Sequence, residues 1–309
     1  MEAVANIQRR QHGLITIDQA AGVGMSEHEV HARHRGGLWV MDREGVYAPA
    51  GAPPTAERAI LAAVLAADGP AWASHGTDGW LWRLKGVEQP DVIELLRPLG
   101  RHVRMEGVVG HRSGALFSAD LTRVCRIPAT TPARAVVELS GRFSAVELGR
   151  TVDDGLRRRL LTLDGLRRCT ARLDTAPGRR LSVVRAVLSE RLPGYDPGDS
   201  DLETRVLRTI VGGGLPPPVQ QHRVRIRGKT FKLDLAYPGH LAGFDVDSWK
   251  YHGLRSPFTD DRTRRNFLEL AGWKIYQFTE SHTDAHIVDV VSSVLAQTLR
   301  GWWVCGRRR

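Results

Sequence analysis

Residues 221–247 read Gln-His-Arg-Val-Arg-Ile-Arg-Gly-Lys-Thr-Phe-Lys-Leu-Asp-Leu-Ala-Tyr-Pro-Gly-His-Leu-Ala-Gly-Phe-Asp-Val-Asp, and this stretch sets the architecture of the C-terminal part of the chain. Alternation of polar and apolar residues predicts three strands, over residues 221–227, 230–237 and 241–247. Gly228 and Pro238-Gly239 mark the turns between them. The stretch therefore predicts neighbouring strands of a β-sheet.

Three aspartates lie in these strands. Asp234 is within the second strand, and Asp245 and Asp247 share one face of the third because side chains alternate along a strand. Carboxylates that converge in a sheet repel one another unless something compensates their charge. Either a divalent cation joins them, in which case hard oxygen ligands suit Mg²⁺ or Mn²⁺, or they are solvent-facing acids at strand ends.

The flanking residues predict an α/β domain over residues 200–309. Ser200 is a predicted N-cap of a helix that carries Glu203 in its first turn, from which Glu203 is able to approach the aspartates. A helix over 260–271, a strand over 273–278 and a closing helix over 285–299 follow. Lys250 and His252 come directly after the third strand and offer a positive charge or a proton shuttle.

The order and spacing of these residues resemble the PD-(D/E)xK nuclease superfamily. More narrowly, they resemble the domain of unknown function family 559, which is related to very-short-patch-repair (Vsr-like) endonucleases. The matching residues, over about 200–285, are Glu203 after Ser-x-Leu, Asp234, Asp245-Val-Asp247-Ser248 with His252, Asp261-Arg262-Thr-Arg264 and Gly272-Trp273-Lys-Ile-Tyr-Gln277-Phe-Thr.

The resemblance implies a restriction-endonuclease-like fold that hydrolyses DNA phosphodiesters with a bound metal. Its implied catalytic residues are Asp234, Asp245, Asp247, His252 and Glu203. Of these, Asp234 and Asp245 are metal ligands, Glu203 and Asp247 are auxiliary ligands or position water, and His252 is a proton shuttle. The implied DNA contacts are Lys250, Arg262 and Arg264, with Arg264 as a phosphate clamp.

This chain departs from the family pattern at three positions. Asp245 stands where the usual residue is Glu, Ser248 where it is Gly, and Gln277 where it is Arg. Asp247 occupies the place of the superfamily's Lys, as is normal in the narrower group. The identity of the general base therefore stays open.

Residues 1–52 have the layout of a winged helix-turn-helix. Helices are predicted over 4–11, after the N-cap Thr16 and after the capping box Ser26–Glu29, and a hairpin follows over 38–48. A recognition helix needs basic side chains that reach phosphates and base edges in the major groove. The candidates are His31, Arg33, His34 and Arg35 on the third helix and Arg43 on the hairpin. The alternatives are a three-helix domain with a solvated basic face, or a winged helix that contacts protein.

The run from Gly13-Leu-Ile-Thr to Gly45-Val-Tyr-Ala resembles the winged helix of AbiEi-type antitoxins, which belong to type IV toxin–antitoxin systems of phage defence. The runs that begin at His111, Asp120 and Ile127 resemble the second segment of that family. The resemblance implies a DNA-binding regulator with a cognate toxin as partner. In the same region His75, His102 and His111 lack metal-ligand spacing, and we interpret them as surface or hydrogen-bonded histidines.

Composition limits the class of protein. The chain has 309 residues, 42% hydrophobic and 25% charged, which excludes global disorder. Its net charge of +10 favours a polyanionic partner, although only five of the 44 basic residues are Lys, a skew that GC-rich coding also produces. Three widely spaced cysteines argue against a disulfide framework, and the longest aliphatic run, nine residues, is too short to span a membrane. We expect a cytoplasmic protein without a signal peptide or membrane partner.

Together these observations predict an α+β multi-domain chain. Its predicted parts are a winged helix-turn-helix (1–52), a middle AbiEi-like α/β segment (53–175), a helix and linker (176–199) and a restriction-endonuclease-like domain (200–309). The predicted function is Mg²⁺- or Mn²⁺-dependent hydrolysis of DNA. The alternatives are a non-catalytic transcriptional regulator or antitoxin, and a structural module that does not bind nucleic acid.

Overall fold

The computed structural model describes residues 2–173, 179–191, 195, 197–198, 200–247 and 258–305, with side chains for all of these except 258–262 and 297–305. The chain divides into an N-terminal unit, Met1–Leu192, and a C-terminal unit, Pro193–Arg309. The described residues form a mixed α/β protein of 12 α-helices and three sheets, in agreement with the predicted α+β multi-domain class. The finer domain boundaries stay predictions.

The N-terminal unit begins with three short helices and a three-stranded sheet. These elements are α1 (Glu2–Arg10), β1 (Ile15–Thr16), α2 (Ile17–Gly22), α3 (Glu27–Arg35), β2 (Trp39–Arg43) and β3 (Val46–Pro49), with the sheet order β1-β3-β2. The side chains of Thr16 and Ser26 each accept a hydrogen bond from the third residue of the following helix, which completes two capping boxes. The three predicted helices and the hairpin are thus confirmed.

The rest of this unit surrounds a five-stranded sheet. Its elements are α4 (Ala56–Leu65), β4 (Trp72–Ala73), α5 (His75–Leu81), β5 (Ile93–Pro98), β6 (Val108–Ser113), β7 (Leu121–Val124), β8 (Ile127–Thr130), α6 (Pro132–Leu139), α7 (Ala145–Arg157), α8 (Leu163–Arg172) and α9 (Leu181–Ser189). The sheet order is β6-β5-β4-β8-β7, and the β5–β6 and β4–β8 pairs are parallel. A buried cluster that includes Val136, Leu148 and Val184 joins helices α6, α7 and α9.

The C-terminal unit is a four-stranded sheet between helices. Its elements are α10 (Asp201–Gly212), β9 (Val219–Ile226), β10 (Lys229–Tyr237), β11 (Ala242–Asp247), α11 (Phe258–Leu270), β12 (Lys274–Thr279) and α12 (Asp284–Cys305). The order is β12-β11-β10-β9, with the β11–β12 pair parallel and the other two pairs antiparallel. This arrangement confirms the predicted order of strands and helices.

Two buried clusters lie at this sheet. One joins Ile210 of α10 and Val291 of α12 to Phe244 of the sheet. The other joins Leu268 of α11 to Leu233. Burial of these aliphatic and aromatic side chains holds the helices on the sheet and fixes the level of each strand relative to its neighbours. In the part of the chain that the structure describes, no helix combines the length and the apolar composition that a membrane span requires.

Candidate functional site

One polar residue from each strand of the C-terminal sheet lies at a common level. Asp245 pairs with Gln277 on β12, and the β10–β11 ladder ends at Leu235 and Phe244, one residue short of Asp234 and Asp245. On the other side, the pairs that flank Asp234 put it opposite Gln221 of β9. We call Gln221, Asp234, Asp245 and Gln277 the carboxylate row. The strand register thus brings Asp234 and Asp245 to adjacent positions.

Where this ladder ends, the Asp234 side chain accepts a backbone hydrogen bond in place of a backbone carbonyl. The amide N–H of Val246 donates a hydrogen bond to Asp234 Oδ2 at 2.8 Å. Burial raises the pKa of Asp234 to about 6, and the neighbouring charge of Asp245 adds to the shift, while the Val246 hydrogen bond opposes it. A carboxyl with this pKa exchanges its proton near neutral pH, which is a property of many functional acids.

Asp245 is compensated by an arginine. Arg264 of α11 donates from its two terminal nitrogens to the two Asp245 oxygens, at 2.6 and 2.9 Å, and also donates to the Lys232 carbonyl at 2.8 Å. A two-point contact of this kind is among the stronger ion pairs in proteins because both charged groups are planar. Arg264, the expected phosphate clamp, therefore contacts a strand acid in this structure.

Glu203 is connected to the carboxylate row by a hydrogen bond from Gln221. The Ser200 side chain accepts a hydrogen bond from the Glu203 amide, as predicted, and the Glu203 side chain is buried. Gln221 donates from Nε2 to Glu203 Oε2 at 2.7 Å. Gln221 has a positive φ of 51°, and its buried Oε1 has no hydrogen-bond partner among the described residues. An unpartnered buried carbonyl is an available acceptor or ligand.

The other predicted site residues of this unit lie apart or outside the described residues. Asp247 is exposed at the end of β11. The backbone of Arg262 is part of α11, but its side chain is outside the described residues, as are Lys250 and His252. Within the described residues, oxygens of Glu203, Asp234 and Asp245 do not form a set that lies within 4.8 Å. The sheet therefore joins two of the predicted acids closely, and the third through an amide side chain.

A basic surface that the sequence analysis did not identify runs along the β9–β10 hairpin. We call it the basic ribbon, and its exposed members are Arg223, Arg225, Arg227, Lys229 and Lys232. Arg223 is paired across the hairpin with Lys232, so the two positive side chains share one face. Among the described residues, Arg223, Arg225 and Arg227 form no ion pair with a carboxylate. In the sequence, the alternation of Arg223, Arg225 and Arg227 is the pattern that indicates this basic surface.

Several basic residues expected to contact DNA in the N-terminal unit have partners within the fold. The rings of His31 and His34 lie edge-on to Tyr47, and the Arg33 guanidinium lies 5.8 Å from the centre of the Trp39 ring. Arg43 donates to the Glu106 carbonyl at 2.8 Å. Arg35 is exposed and, among the described residues, has no ion-pair partner. Contacts within the N-terminal unit therefore occupy several of the side chains that were expected to bind DNA.

A second cluster lies elsewhere in the N-terminal unit. His75 and His111, interpreted from the sequence as surface or hydrogen-bonded histidines, stack with ring centres 3.6 Å apart beside Glu94. Their ligand atoms and a Glu94 oxygen all lie within 4.8 Å, the one such His, Cys, Asp or Glu group among the described residues. We call these three residues the histidine cluster. His102 is exposed and is not part of it.

Comparison with known proteins gives relatives without a described activity. No protein-family model matches the chain. Two Mycobacterium tuberculosis sequences, "Uncharacterized protein MT2308" of strain CDC 1551 and "Uncharacterized protein Rv2248" of strain H37Rv, are each 28% identical over 209 residues, which are 67% of this chain and 73% of theirs. The crystal structure of the RV2827C protein from the same organism is similar over 61% of this chain and 80% of that one, with 17% identity and a TM-score of 0.38.

Proposed function

We propose that this chain is a DNA-binding protein whose C-terminal unit hydrolyses DNA phosphodiesters with Mg²⁺ or Mn²⁺. The observation that carries the proposal is the adjacency of Asp234 and Asp245 where the β10–β11 ladder ends, on a sheet that also presents the basic ribbon. The proposal includes a restriction-endonuclease-like core over residues 200–309 and a winged helix over residues 1–52. The four-stranded sheet between helices, and the three helices followed by a hairpin, support these assignments.

The donors of the carboxylate row fit a hard divalent cation. Carboxylate and amide oxygens are the ligands that Mg²⁺ accepts, and the row offers Asp234, Asp245 and the unpartnered Oε1 of Gln221. These three residues would hold the ion, with Glu203 behind Gln221. A bound divalent cation polarises a phosphoryl oxygen and lowers the pKa of an attacking water.

The chain's own residues supply binding and orientation. The basic ribbon places positive charge where a phosphate backbone would lie, which gives affinity that does not depend on base sequence. Gln221 orients Glu203 through its amide nitrogen. Asp247 at the end of β11, Lys250 and His252 keep their proposed roles in water positioning, phosphate binding and proton transfer.

A non-catalytic regulator of toxin–antitoxin type is the second candidate. The observation that favours it is the Arg264 side chain, which already neutralises Asp245 with two hydrogen bonds. A carboxylate paired in this way serves to hold α11 on the sheet without any metal. In this candidate the winged helix binds operator DNA, a cognate toxin is the partner, and the C-terminal unit only binds.

Cleavage of supercoiled and linear DNA by the full-length protein with Mg²⁺ or Mn²⁺ separates the two candidates. We expect cleavage by the parent and by Asp289→Asn, a matched control because Asp289 is exposed on α12, away from the row. Asp234→Asn should lose cleavage yet bind DNA without metal equally or slightly more tightly, since a negative charge near the phosphates is removed. Full cleavage by Asp234→Asn would exclude Asp234 as a ligand, and a parent without activity would favour the regulator.

A further inference from the structure

The histidine cluster in the N-terminal unit brings together three side chains of the types that ligate metals. His111 Nε2 lies 2.8 Å from Glu94 Oε1, and the two imidazole rings stack with an interplanar angle of 18°. We propose that His75, Glu94 and His111 form a Zn²⁺ site. The proposal does not depend on the nuclease function.

Three different elements bring the ligands together. Glu94 and His111 are on the parallel strands β5 and β6, where the pairs Glu94–Val109 and Leu96–His111 make them diagonal neighbours. His75 is the first residue of α5 and has a positive φ of 54°. A side chain other than Gly in this region of backbone space carries strain, and such strain is frequent where a side chain is held for function.

One ring nitrogen of His75, Nδ1, already has partners. His75 Nδ1 lies 3.1 Å from Ser74 Oγ and 3.5 Å from Glu138 Oε2, which leaves Nε2 as the ligand atom. Glu138 is buried and accepts a hydrogen bond from Arg134 at 2.9 Å. Glu138 Oε2 also accepts a hydrogen bond from the His75 backbone N–H at 3.3 Å, so Ser74 and Glu138 together hold the ring in place, as outer partners do for metal-bound imidazoles.

Burial and hydrogen bonds set the charge of two of the three residues. Burial lowers the pKa of His75 to about 4, so its imidazole is neutral at pH 7 and has a lone pair to offer. Burial alone would raise the pKa of Glu94, but hydrogen bonds from His111 and Arg142 outweigh it and hold that pKa at about 2. The Glu94 oxygens thus already receive donors from His111 and Arg142, at the positions that a bound cation would take.

Arg142 is the competitor for this site. Its two terminal nitrogens donate to the two Glu94 oxygens, the first at 2.9 Å. The Arg142 side chain is 54% exposed, whereas that of Glu94 is 1% exposed. A half-exposed arginine can swing into water when a cation takes its place, while the buried carboxylate stays fixed by the Gly76 amide at 2.9 Å.

The ligand types favour a transition metal over Mg²⁺. Two imidazoles and one carboxylate match Zn²⁺ sites with three protein ligands and a fourth, open position, whereas Mg²⁺ prefers oxygen ligands alone. Ligand atoms on a tetrahedral Zn²⁺ are about 3.3 Å apart, so the His111–Glu94 pair has to open by about half an ångström. The stacked rings of His75 and His111 also have to turn, so that the in-plane lone pairs of both nitrogens meet at the ion. His111 is 28% exposed at its side chain, which gives an ion access from solvent.

The test uses full-length protein stripped of metal, titrated with Zn²⁺ against a fluorescent chelator and with Co²⁺ for its visible absorption. We expect the parent and His102→Ala, a control with an exposed histidine of the same unit, to bind Zn²⁺ at the site. His111→Ala should bind at least about 100-fold more weakly, since even outer partners of a ligand are worth about 10–100-fold. Arg142→Ala should bind about 10-fold more tightly, because the competing charge-assisted bonds are gone.

A network that is only structural gives the opposite pattern. In that case His111→Ala, shown to be folded by circular dichroism, has the same Zn²⁺ affinity as the parent, and Arg142→Ala loses stability without any gain in affinity. Either result overturns the proposal. Because Arg142 is half exposed, its variant is expected to fold and keeps the test decisive if His111→Ala does not.

Discussion

The histidine cluster and the carboxylate row have one feature in common, a carboxylate held at both oxygens by an arginine: Glu94 by Arg142 and Asp245 by Arg264. They differ in the titrating residue beside that pair. Burial favours the uncharged form of any group, and for His75 this is the deprotonated form, whereas for Asp234 it is the protonated form. The pKa of His75 therefore falls to about 4 and that of Asp234 rises to about 6.

This difference has a chemical consequence. At neutral pH His75 is ready to act as a ligand, whereas Asp234 is close enough to its pKa that acidification restores its proton. A cation at the carboxylate row therefore competes with protons below about pH 6, while the histidine cluster keeps its unprotonated imidazole at the same pH. Burial, the largest cause of both pKa shifts, thus leaves His75 unprotonated at neutral pH and makes Asp234 sensitive to pH.

The largest expected effect comes from removing the support behind His75. Arg134 and Glu138 form an i,i+4 ion pair at 2.9 Å with both side chains fully buried, and Glu138 contacts His75. Arg134→Met leaves buried Glu138 with less compensation, so we expect the N-terminal unit to lose about 3–5 kcal/mol of unfolding free energy. Hydrogen exchange of β5 and β6 peptides, read by mass spectrometry, measures this loss.

The C-terminal unit offers the matched control. Arg265 and Glu269 form a pair with the same i,i+4 spacing at 3.3 Å, but both side chains are more than half exposed. Arg265→Met should change stability by less than about 0.5 kcal/mol, because exposed helix pairs contribute little. Equal losses from the two variants would contradict the claim that burial decides the strength of the histidine-cluster support.

A smaller effect of opposite sign in the two units is expected on changing pH without metal. The pKa of His75 is lower in the folded state than its ordinary value of 6.5, so its contribution to stability is present above pH 6.5 and is lost as pH falls toward 4. The pKa of Asp234 is higher than its ordinary 3.8, so its contribution is present below pH 3.8 and is lost as pH rises through 6. Each change is about 1–3 kcal/mol.

Single substitutions isolate these two contributions. Between pH 4 and 6.5 we expect rising pH to stabilise the N-terminal unit through His75 and to destabilise the C-terminal unit through Asp234. His75→Gln and Asp234→Asn should each remove the trend in its own unit and leave the other unchanged. The measurement is hydrogen exchange of β5 and of β10 in EDTA, corrected for the intrinsic rate at each pH. Trends of the same sign in both parent units would contradict the burial argument.

The sequence predicted those helices and strands whose signals lie within a few residues of one another in the chain. Capping residues such as Ser26 and Ser200, and the alternation in residues 221–247, are local signals, and the structure confirms the helices and strands that they indicate. The proximity of Asp234 and Asp245 followed from the same alternation, because the two acids lie on consecutive strands.

Contacts that depend on register and packing could not be predicted in this way. The Arg264–Asp245 pair requires knowledge of how α11 lies on the sheet. Gln221 has a positive φ within β9, and no glycine at this position indicates that conformation in the sequence. The histidine cluster unites a helix start with two strands, over a separation of 36 residues between its two histidines, and no local spacing indicates a parallel β5–β6 pair.

The smallest effect concerns which unit holds the DNA backbone. In the basic ribbon Arg223 and Arg225 are exposed and form no ion pair among the described residues. Of the two arginines on α3, Arg33 lies over Trp39 and only Arg35 is exposed. Each phosphate contact that is lost lowers the slope of log K against log salt by about 0.9. We expect Arg223→Ala with Arg225→Ala to lower the slope by about 1.8, and Arg33→Ala with Arg35→Ala by about 0.9.

Fluorescence anisotropy with one duplex over a series of salt concentrations, without divalent metal, measures both slopes. Arg208→Ala with Arg185→Ala is a control of equal charge, since these arginines lie on α10 and α9 and belong to neither surface. The weakening should be uniform across DNA sequences, because phosphate contacts carry no base information. A larger loss from the α3 pair would make the N-terminal unit the main DNA surface, and unchanged slopes in both folded variants would move the DNA contact elsewhere.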